Sequence, residues 1–444
     1  MSNLADSVDT ASVLARSAHT DLTDTGYAAE HEYEAVVEID ARGFGWRAPE
    51  ALRERWREAT DLERVIVSRD GGDVVGSAIS APTRVTLPGG LRPEVAAVVG
   101  VAVSPTHRRQ GRLAAMMTLQ LEEFRRRREP MAVLSASEGG IYGRFGYGAA
   151  TFAHRYSLDR RTAALDRSVH SAASGQVRMV EAPQALEAMR ALTAEVVLAR
   201  PGEIEPLGSE WTDIEGLWGA DEARQRFFAL YEESGRIDGA ISYRMIRREA
   251  IEPGPRREVL LERMVTVSTP AYIALWRFLL GIDLISNVST EDRPIDEPIR
   301  WCLSDPRQLC VTRLGDQNWL RLVDVETTLS ARRYGSEGAI TIEVADGLCP
   351  WNDGLYHLDA ADTSPAESRL SAGTVGATAE RIGARGDTSR PADVALDVST
   401  LASIYLGGVD PSAMAAAGRI HAASEESEHL LERLFRVDIA PFCS

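Results

Sequence analysis

Residues 98–114 read Val-Val-Gly-Val-Ala-Val-Ser-Pro-Thr-His-Arg-Arg-Gln-Gly-Arg-Leu-Ala. A strand of buried type stops at Pro105, passes through a basic turn in which Gly111 lets the backbone double back, and opens a helix. The amides of a helix's first turn have no intrahelical acceptor and point at whatever anion lies there. Arg108, Arg109 and Arg112 add positive charge at the same place, so the chemistry is that of holding a pyrophosphate. A second segment, Ser137 to Gly148, holds five glycines in twelve residues together with Tyr142 and Tyr147. At that density backbone shape matters more than side chains. Lying after a strand, one strand–helix unit beyond the basic turn, it reads as an active-site loop.

The elements that would carry these segments follow from pattern. A helix over 49–59 precedes a hairpin made of strands 64–68 and 74–80 around Asp70-Gly71-Gly72-Asp73. After the basic turn, Leu113, Met117, Leu121 and Phe124 share one helix face, and Arg125 to Arg128 close the C-terminal end where cations suit the dipole. Pro130 ends that helix and 131–136 is the next buried strand. Strand 260–267, the turn Ser268-Thr269-Pro270, helix 272–280 and strand 283–288 repeat the arrangement of 98–136. The second turn has no glycine and no basic residue before Arg277, so it reads as a copy that kept the fold and lost the anion site. From Trp319 the texture becomes that of an α+β domain, with a strand near 320, period-two alternation over 340–345, and a strand, capped helix and glycine stop from Leu396. The ranges expected are a loose leader over 1–30, a cofactor-binding domain over 31–160, its degenerate copy over 161–310 and a third domain over 311–444.

Composition narrows the chemistry. With 444 residues, 44 % hydrophobic and 26 % charged, the chain is globular and large enough for two or three domains. All 49 basic residues are arginine, which removes Schiff-base aldolases, pyridoxal-phosphate enzymes and P-loop nucleotide hydrolases, each of which needs a lysine. A net charge of -17 argues against nucleic acid and for neutral or cationic partners. The four cysteines form neither a disulfide framework nor CxxC pairs, and the eight histidines show no metal-ligand spacing. No metal is expected. With no signal peptide and no membrane-length apolar run, the expected location is the cytoplasm.

The strings Ser104-Pro-Thr-His-Arg-Arg-Gln-Gly-Arg-Leu and Ala136-Ser-Glu-Gly-Gly-Ile-Tyr-Gly-Arg-Phe-Gly-Tyr-Gly resemble the enhanced intracellular survival (Eis) family of aminoglycoside acetyltransferases. That family lies within the GCN5-related N-acetyltransferases, although Leu113 stands where the wider superfamily has Gly or Ala. The resemblance covers nearly the whole chain, including 319–326 and the Ser403-Ile-Tyr-Leu-Gly-Gly segment. It implies an α/β (α+β) fold of two tandem GCN5-related acetyltransferase-like domains followed by a sterol-carrier-protein-like domain. It further implies acetyl-CoA as co-substrate, a cationic amine acceptor such as an aminoglycoside acetylated at several positions, and a homohexamer. By motif, Val101, Ala102 and Val103 would pair with the pantetheine arm, and Arg108, Arg109, Gln110, Gly111, Arg112, Leu113 and Ala114 would cradle the pyrophosphate. Ser137 and Glu138 would line the far side of the cleft, Tyr142 would protonate the leaving thiolate, and the terminal carboxylate of Ser444 would serve as base. The residues leave open other readings: Tyr142 as a packed core side chain, Glu138 as a helix cap, and the chain as an acyl-CoA sensor, a lipid-carrying scaffold or a lysine acetyltransferase.

Overall fold

The computed structural model describes residues 24–45, 50–172, 175–207, 226–247, 257–361 and 374–443. The chain divides into two compact units, one combining the residues up to Ala150 with Asn318–Val437, the other Thr151–Gln317 with the segment from Asp438.

In the first unit, strands Thr25–Tyr27 (β1), Val65–Asp70 (β2), Asp73–Arg84 (β3), Glu94–Val103 (β4), Met131–Ser135 (β5), Gly148–Ala149 (β6) and Asn318–Leu322 (β15, numbered along the chain) form one sheet. Its order is β1-β2-β3-β4-β5-β15-β6. Residue alternation fixes its two faces. Val65 and Val67 meet Val36 of helix Tyr33–Phe44 (α1), while Ile66 and Ala78 meet Met116 of helix Arg112–Arg126 (α3). Helix Glu50–Ala59 (α2) lies between them in sequence. Met117, Leu121 and Phe124 of α3 pack with Ala96, Val98, Ala132 and Leu134 of β4 and β5, the face expected from their spacing. Glycine is required at 148, where a Cβ would stand 2.0 Å from the Ser399 carbonyl oxygen.

The same unit holds a second, five-stranded sheet in the order β18-β17-β16-β19-β20, made of Gly338–Ala345 (β16), Gly354–Ala360 (β17), Ala377–Gly383 (β18), Val394–Asp397 (β19) and Ile420–Ala422 (β20). Asp397 caps the following helix, Val398–Tyr405, by accepting the Thr400 amide at 2.8 Å.

The other unit is built on Phe152–Asp159 (β7), Gln176–Val180 (β8), Arg226–Glu233 (β9), Arg236–Arg247 (β10), Arg257–Thr266 (β11), Asn287–Thr290 (β12), Arg293–Pro294 (β13) and Leu309–Asp316 (β14). Its order is β13-β7-β12-β11-β10-β9-β8, with β14 also paired to β7. Helix Thr269–Gly281 buries Leu275, Trp276 and Leu279 on one face. Helix Ala182–Val196 buries Met189 and Leu192 on the other.

Three expected ranges need correction. Residues 24–30 are not leader: β1 pairs antiparallel with β2, Tyr27 opposite Ile66. The strand 152–159, placed in the first domain by a boundary at 160, lies in the second unit's sheet between β12 and β14. A boundary at 311 falls inside β14, and β15, read as the opening strand of the third domain, is threaded between β5 and β6 of the first sheet. Leu320, Arg321 and Leu322 of β15 are all buried, as a central strand covered on both faces must be.

Candidate active site

The site is set by how β4 ends. It pairs in parallel with β5 only at Ala96–Ala132 and Ala97–Val133, while against β3 it continues to Val103. Beyond Ala97 the edge of β4 therefore faces β5 without ladder hydrogen bonds, and Val101, Ala102 and Val103 offer backbone groups along the opening. Just before them, Ile79 pairs with Gly100 but Ser80 with Val98. Val99 is the extra residue of a β-bulge.

From Val103 the chain enters the basic turn. Arg109 (φ 62°) and Gly111 (φ 81°) are both left-handed, so successive amides bend into a concave cradle. Gly111 is the N-cap of α3 and supplies no side-chain hydrogen bond to it, which leaves the first-turn amides open. Arg108, Arg109 and Gln110 are exposed. Arg112 departs from expectation. Its guanidinium is turned inward, donating to the Arg69 carbonyl at 2.7 Å and the Ser68 hydroxyl at 3.1 Å. It braces the turn against β2, and what it offers an anion is its amide. Leu113 and Ala114 occupy the first turn, half-buried, against the α3 core.

Across the opening, Ser137 and Glu138 follow β5 and are exposed. Glu138 is the N-cap of the short helix Gly139–Tyr142 but makes no side-chain cap bond, so its carboxylate is not spent as a cap. Tyr142 is 7 % exposed, its ring edge-on to Tyr147 at 5.9 Å. It belongs to the core, yet its hydroxyl makes no hydrogen bond among the described residues. Burial, then the Glu138 charge, raises its pKa above the ordinary tyrosine value. Tyr147 is fully buried, its hydroxyl likewise unpartnered, and burial holds it protonated still more firmly.

Two features were not singled out from sequence. Arg321 of β15 is fully buried beside the glycine-rich loop and forms a two-pronged ion pair with Asp346, at 2.9 and 2.8 Å. Asp40 lies on α1, four residues beyond the buried Val36, and abuts the bulge: a Cβ on Gly100 would stand 2.9 Å from its Oδ1. An acid in register with a helix's apolar face was the available signal for Asp40. For Arg321, nothing short of the strand order supplies one.

The copy in the second unit is built differently at the corresponding place. Strands β11 and β12 pair in parallel from Glu258–Asn287 to Leu261–Thr290 and then part. The following helix is capped by Ser268, whose hydroxyl takes the Ala271 amide at 3.3 Å, and its turn holds no glycine. Where the strands part, Glu262, Met264 and Asp292 line a cleft with Phe442 and Cys443. That tail is held by Gln317, which donates to the Cys443 carbonyl at 3.2 Å, and by the Phe442 amide, which donates to the Pro201 carbonyl at 3.0 Å. Ser444, assigned the base role by resemblance, lies outside the described residues.

Two separate stretches, 25–150 and 208–322, match acetyltransferase (GNAT) domain families, and 325–444 matches a sterol carrier protein domain. An uncharacterised N-acetyltransferase of Streptomyces coelicolor is 37 % identical over 412 residues, covering 90 % of this chain and 94 % of the relative. The N-acetyltransferase Eis of Mycobacterium tuberculosis is 30 % identical over 397 residues, covering 86 % and 89 %. The crystal structure of Eis1 from Mycobacterium abscessus superposes with a TM-score of 0.78 at 29 % identity, over 95 % of this chain and 99 % of that one. The chain belongs to the Eis family of N-acetyltransferases. As an Eis-family enzyme it is an N-acetyltransferase built of two GNAT domains and a sterol-carrier-type domain, and its fold is one that uses acyl-CoA. Among the described residues, no helix is long and apolar enough to cross a membrane.

Proposed function

We propose that this enzyme transfers the acetyl group of acetyl-CoA to amines of polycationic small molecules, aminoglycosides among them, at more than one position. The observation that supports it best is the left-handed pair Arg109 and Gly111, set between the unpaired edge of β4 and the uncapped start of α3. Such a cradle suits a pyrophosphate, with Val101–Val103 pairing to the pantetheine amides and Ser137 and Glu138 on the far side. A side chain at Gly111 would be strained there, and among the described residues the exposed Arg108 and Arg109 add charge without an ion-pair partner.

Tyr142 acts as the acid. Its raised pKa keeps the phenol protonated at neutral pH until a thiolate forms beside it, and the free hydroxyl has a proton to give. The net charge of -17 draws cations to the molecule, which favours aminoglycosides over neutral amines. The reading extends to a cytoplasmic homohexamer, which light scattering of the purified protein checks.

The test is incubation with acetyl-CoA and kanamycin, reading thiol release, with a lysine-containing peptide in parallel. Thiol release with kanamycin, in excess over the peptide, is expected. Faster turnover of the peptide moves the acceptor to protein lysine, and no release with any amine refutes acetyl transfer.

A further inference from the structure

The sterol-carrier-type domain has no part in the acetyl-transfer reading, yet residues within 325–444 support the glycine-rich segment. Gly148 is pressed onto helix Val398–Tyr405: besides the Ser399 carbonyl, a Cβ there would meet the Ser403 Oγ at 2.4 Å and the Ser403 amide nitrogen at 2.7 Å. One on Gly146, itself left-handed at φ 80°, would meet Arg321 Cζ at 2.7 Å and Val398 Cγ1 at 2.8 Å. Asp346, of the same domain as Val398, holds Arg321 in place. Cys349, fully buried, packs in one apolar cluster with Tyr142, Phe145 and Tyr147. The segment 146–148 is thus close-packed against that domain, with no room for a side chain at either glycine.

Between the two glycines stands Tyr147. Its amide donates to the Tyr142 carbonyl at 3.3 Å, and its ring meets the Tyr142 ring edge-on, with centroids 5.9 Å apart and planes inclined at 67°. Tyr142 needs such a support. Its hydroxyl makes no hydrogen bond among the described residues that would aim it, so its direction is set by what the ring packs against. The helix that carries it, Gly139–Tyr142, has four residues and begins with two glycines, which leave the backbone freest. The Tyr147 hydroxyl is buried and unpartnered. What Tyr147 contributes is therefore its ring, and an edge-on aromatic contact has a preferred geometry that an aliphatic contact lacks.

We propose that the sterol-carrier-type domain positions the acid. Through Val398 and Ser403 it fixes Gly146 and Gly148, and Tyr147, gripped between them, sets the angle at which the Tyr142 hydroxyl meets the departing sulfur. Tyr147 and Ser403 are positioning residues, and neither gives nor takes a proton. The proposal deepens the acetyl-transfer reading and rests on Tyr142 as its acid. It gives the third domain a part in the chemistry that requires no lipid. A misplacement of about 1 Å at a reacting group costs roughly 10²-fold in rate, which is the scale expected when this support is loosened.

The experiment uses the full chain and measures kcat for thiol release from acetyl-CoA with kanamycin, and CoA affinity by calorimetry. Tyr147→Met fills the space with a flexible chain, Tyr147→Phe keeps the ring, and Ser403→Val sets two methyl groups against Gly148 from the third domain. Each is also made in the Tyr142→Phe background. Tyr147→Met and Ser403→Val are expected to bind CoA as the wild type does and to lose roughly 10²-fold in kcat. Tyr147→Phe recovers most of that loss. In the Tyr142→Phe background none of the three lowers kcat further, as residues that act through the acid require. With Tyr142→Phe itself impaired, an unaltered kcat in Tyr147→Met or Ser403→Val overturns the positioning alone. So does a loss that adds in full to that of Tyr142→Phe, or one as large in Tyr147→Phe as in Tyr147→Met. Loss of CoA binding overturns it too, by giving these residues a structural role. Full turnover by Tyr142→Phe removes the acid and the positioning together, and no thiol release by the wild type with any amine removes acetyl transfer as well.

Discussion

The ion pair between Arg321 and Asp346 gives a sharp test of how the glycine-rich loop is supported. Arg321 is fully buried and Asp346 is 4 % exposed. The two partners are not equally provided for. Without Arg321, the Asp346 carboxylate keeps three N–H donors: Asn352 Nδ2 at 3.0 Å and the amides of Cys349 at 3.1 Å and Leu348 at 3.3 Å. Without Asp346, the guanidinium keeps the Leu322 carbonyl at 3.0 Å while its Nε has no partner among the described residues, and the Cys349 and Leu348 amides lose their side-chain acceptor, Asn352 Nδ2 alone keeping the Leu322 and Val323 carbonyls at 3.2 Å. Removing one member of a buried pair costs about 3–5 kcal/mol. Arg321→Met therefore belongs at the low end, about 3 kcal/mol, and Asp346→Ala at the high end, about 5 kcal/mol. Native-state hydrogen exchange at the β15 amides reads this unit without requiring the whole chain to unfold together. An acceleration of about 10²-fold is expected for Arg321→Met and more than 10³-fold for Asp346→Ala. If Arg321→Met costs as much as Asp346→Ala, the donor count is not what stabilises the pair and the reasoning fails.

Tyr142→Phe should keep CoA affinity and lose roughly 10²- to 10⁴-fold in turnover; unchanged thiol release removes it as the acid. Gly111→Ala places a Cβ in a left-handed residue, a strain of about 1–2 kcal/mol. Acetyl-CoA affinity should fall by roughly tenfold while kcat at saturation holds, and a fall in kcat alone contradicts the cradle. Asp40 also predicts a pH-dependent stability. Its carboxyl is raised from an ordinary value of 3.8 to about 6, so the folded state favours the protonated form, whose stabilisation is full below about pH 4 and lost as pH rises through 6. Asp40→Asn should match the wild type near pH 3.5 and exceed it at pH 8 by about 2 kcal/mol, discounted for the part of the side chain open to water. Urea unfolding at the two pH values checks this, and a difference that does not grow with pH contradicts it.

Local signals made much of the fold legible. The α3 face, the hairpin of β2 and β3, and the capped helix after β19 each depend on neighbours in sequence, and each lies where periodicity and capping residues place it. The basic turn was legible for the same reason, since the left-handed Gly111 sits within a few residues of all its partners. What pattern did not show was which strand lies beside which. The apolar run of β15 reads the same whether it opens a new sheet or completes an old one. Its partners β5 and β6 are far off in sequence, so the place of Arg321 against the glycine-rich loop was hidden with it. The inward turn of Arg112 was hidden likewise, because its acceptors lie on β2. Helix α1 was not among the elements read from the sequence, and Asp40 went unread with it; the closeness of Gly43 to Ala102 and of Gly100 to the Asp40 carboxylate shows where that side chain is held.

The threading of β15 through the first sheet has a consequence in time. Strand β5 leaves the ribosome with one edge unpaired, and β6 has no neighbour to join, until Asn318–Leu322 has been made. All of Thr151–Gln317 is synthesised first. At about 5–20 residues per second, that is a wait on the order of 10–30 s. During it the nascent acetyltransferase layer carries an open strand edge, the feature most prone to pair with a neighbouring chain. Residues 151–317 can fold upon their own sheet meanwhile, so the middle of the polypeptide is ready before its beginning is finished. A fragment ending at Ala150 would keep the cradle's sequence and lack the strand that closes the sheet beneath it.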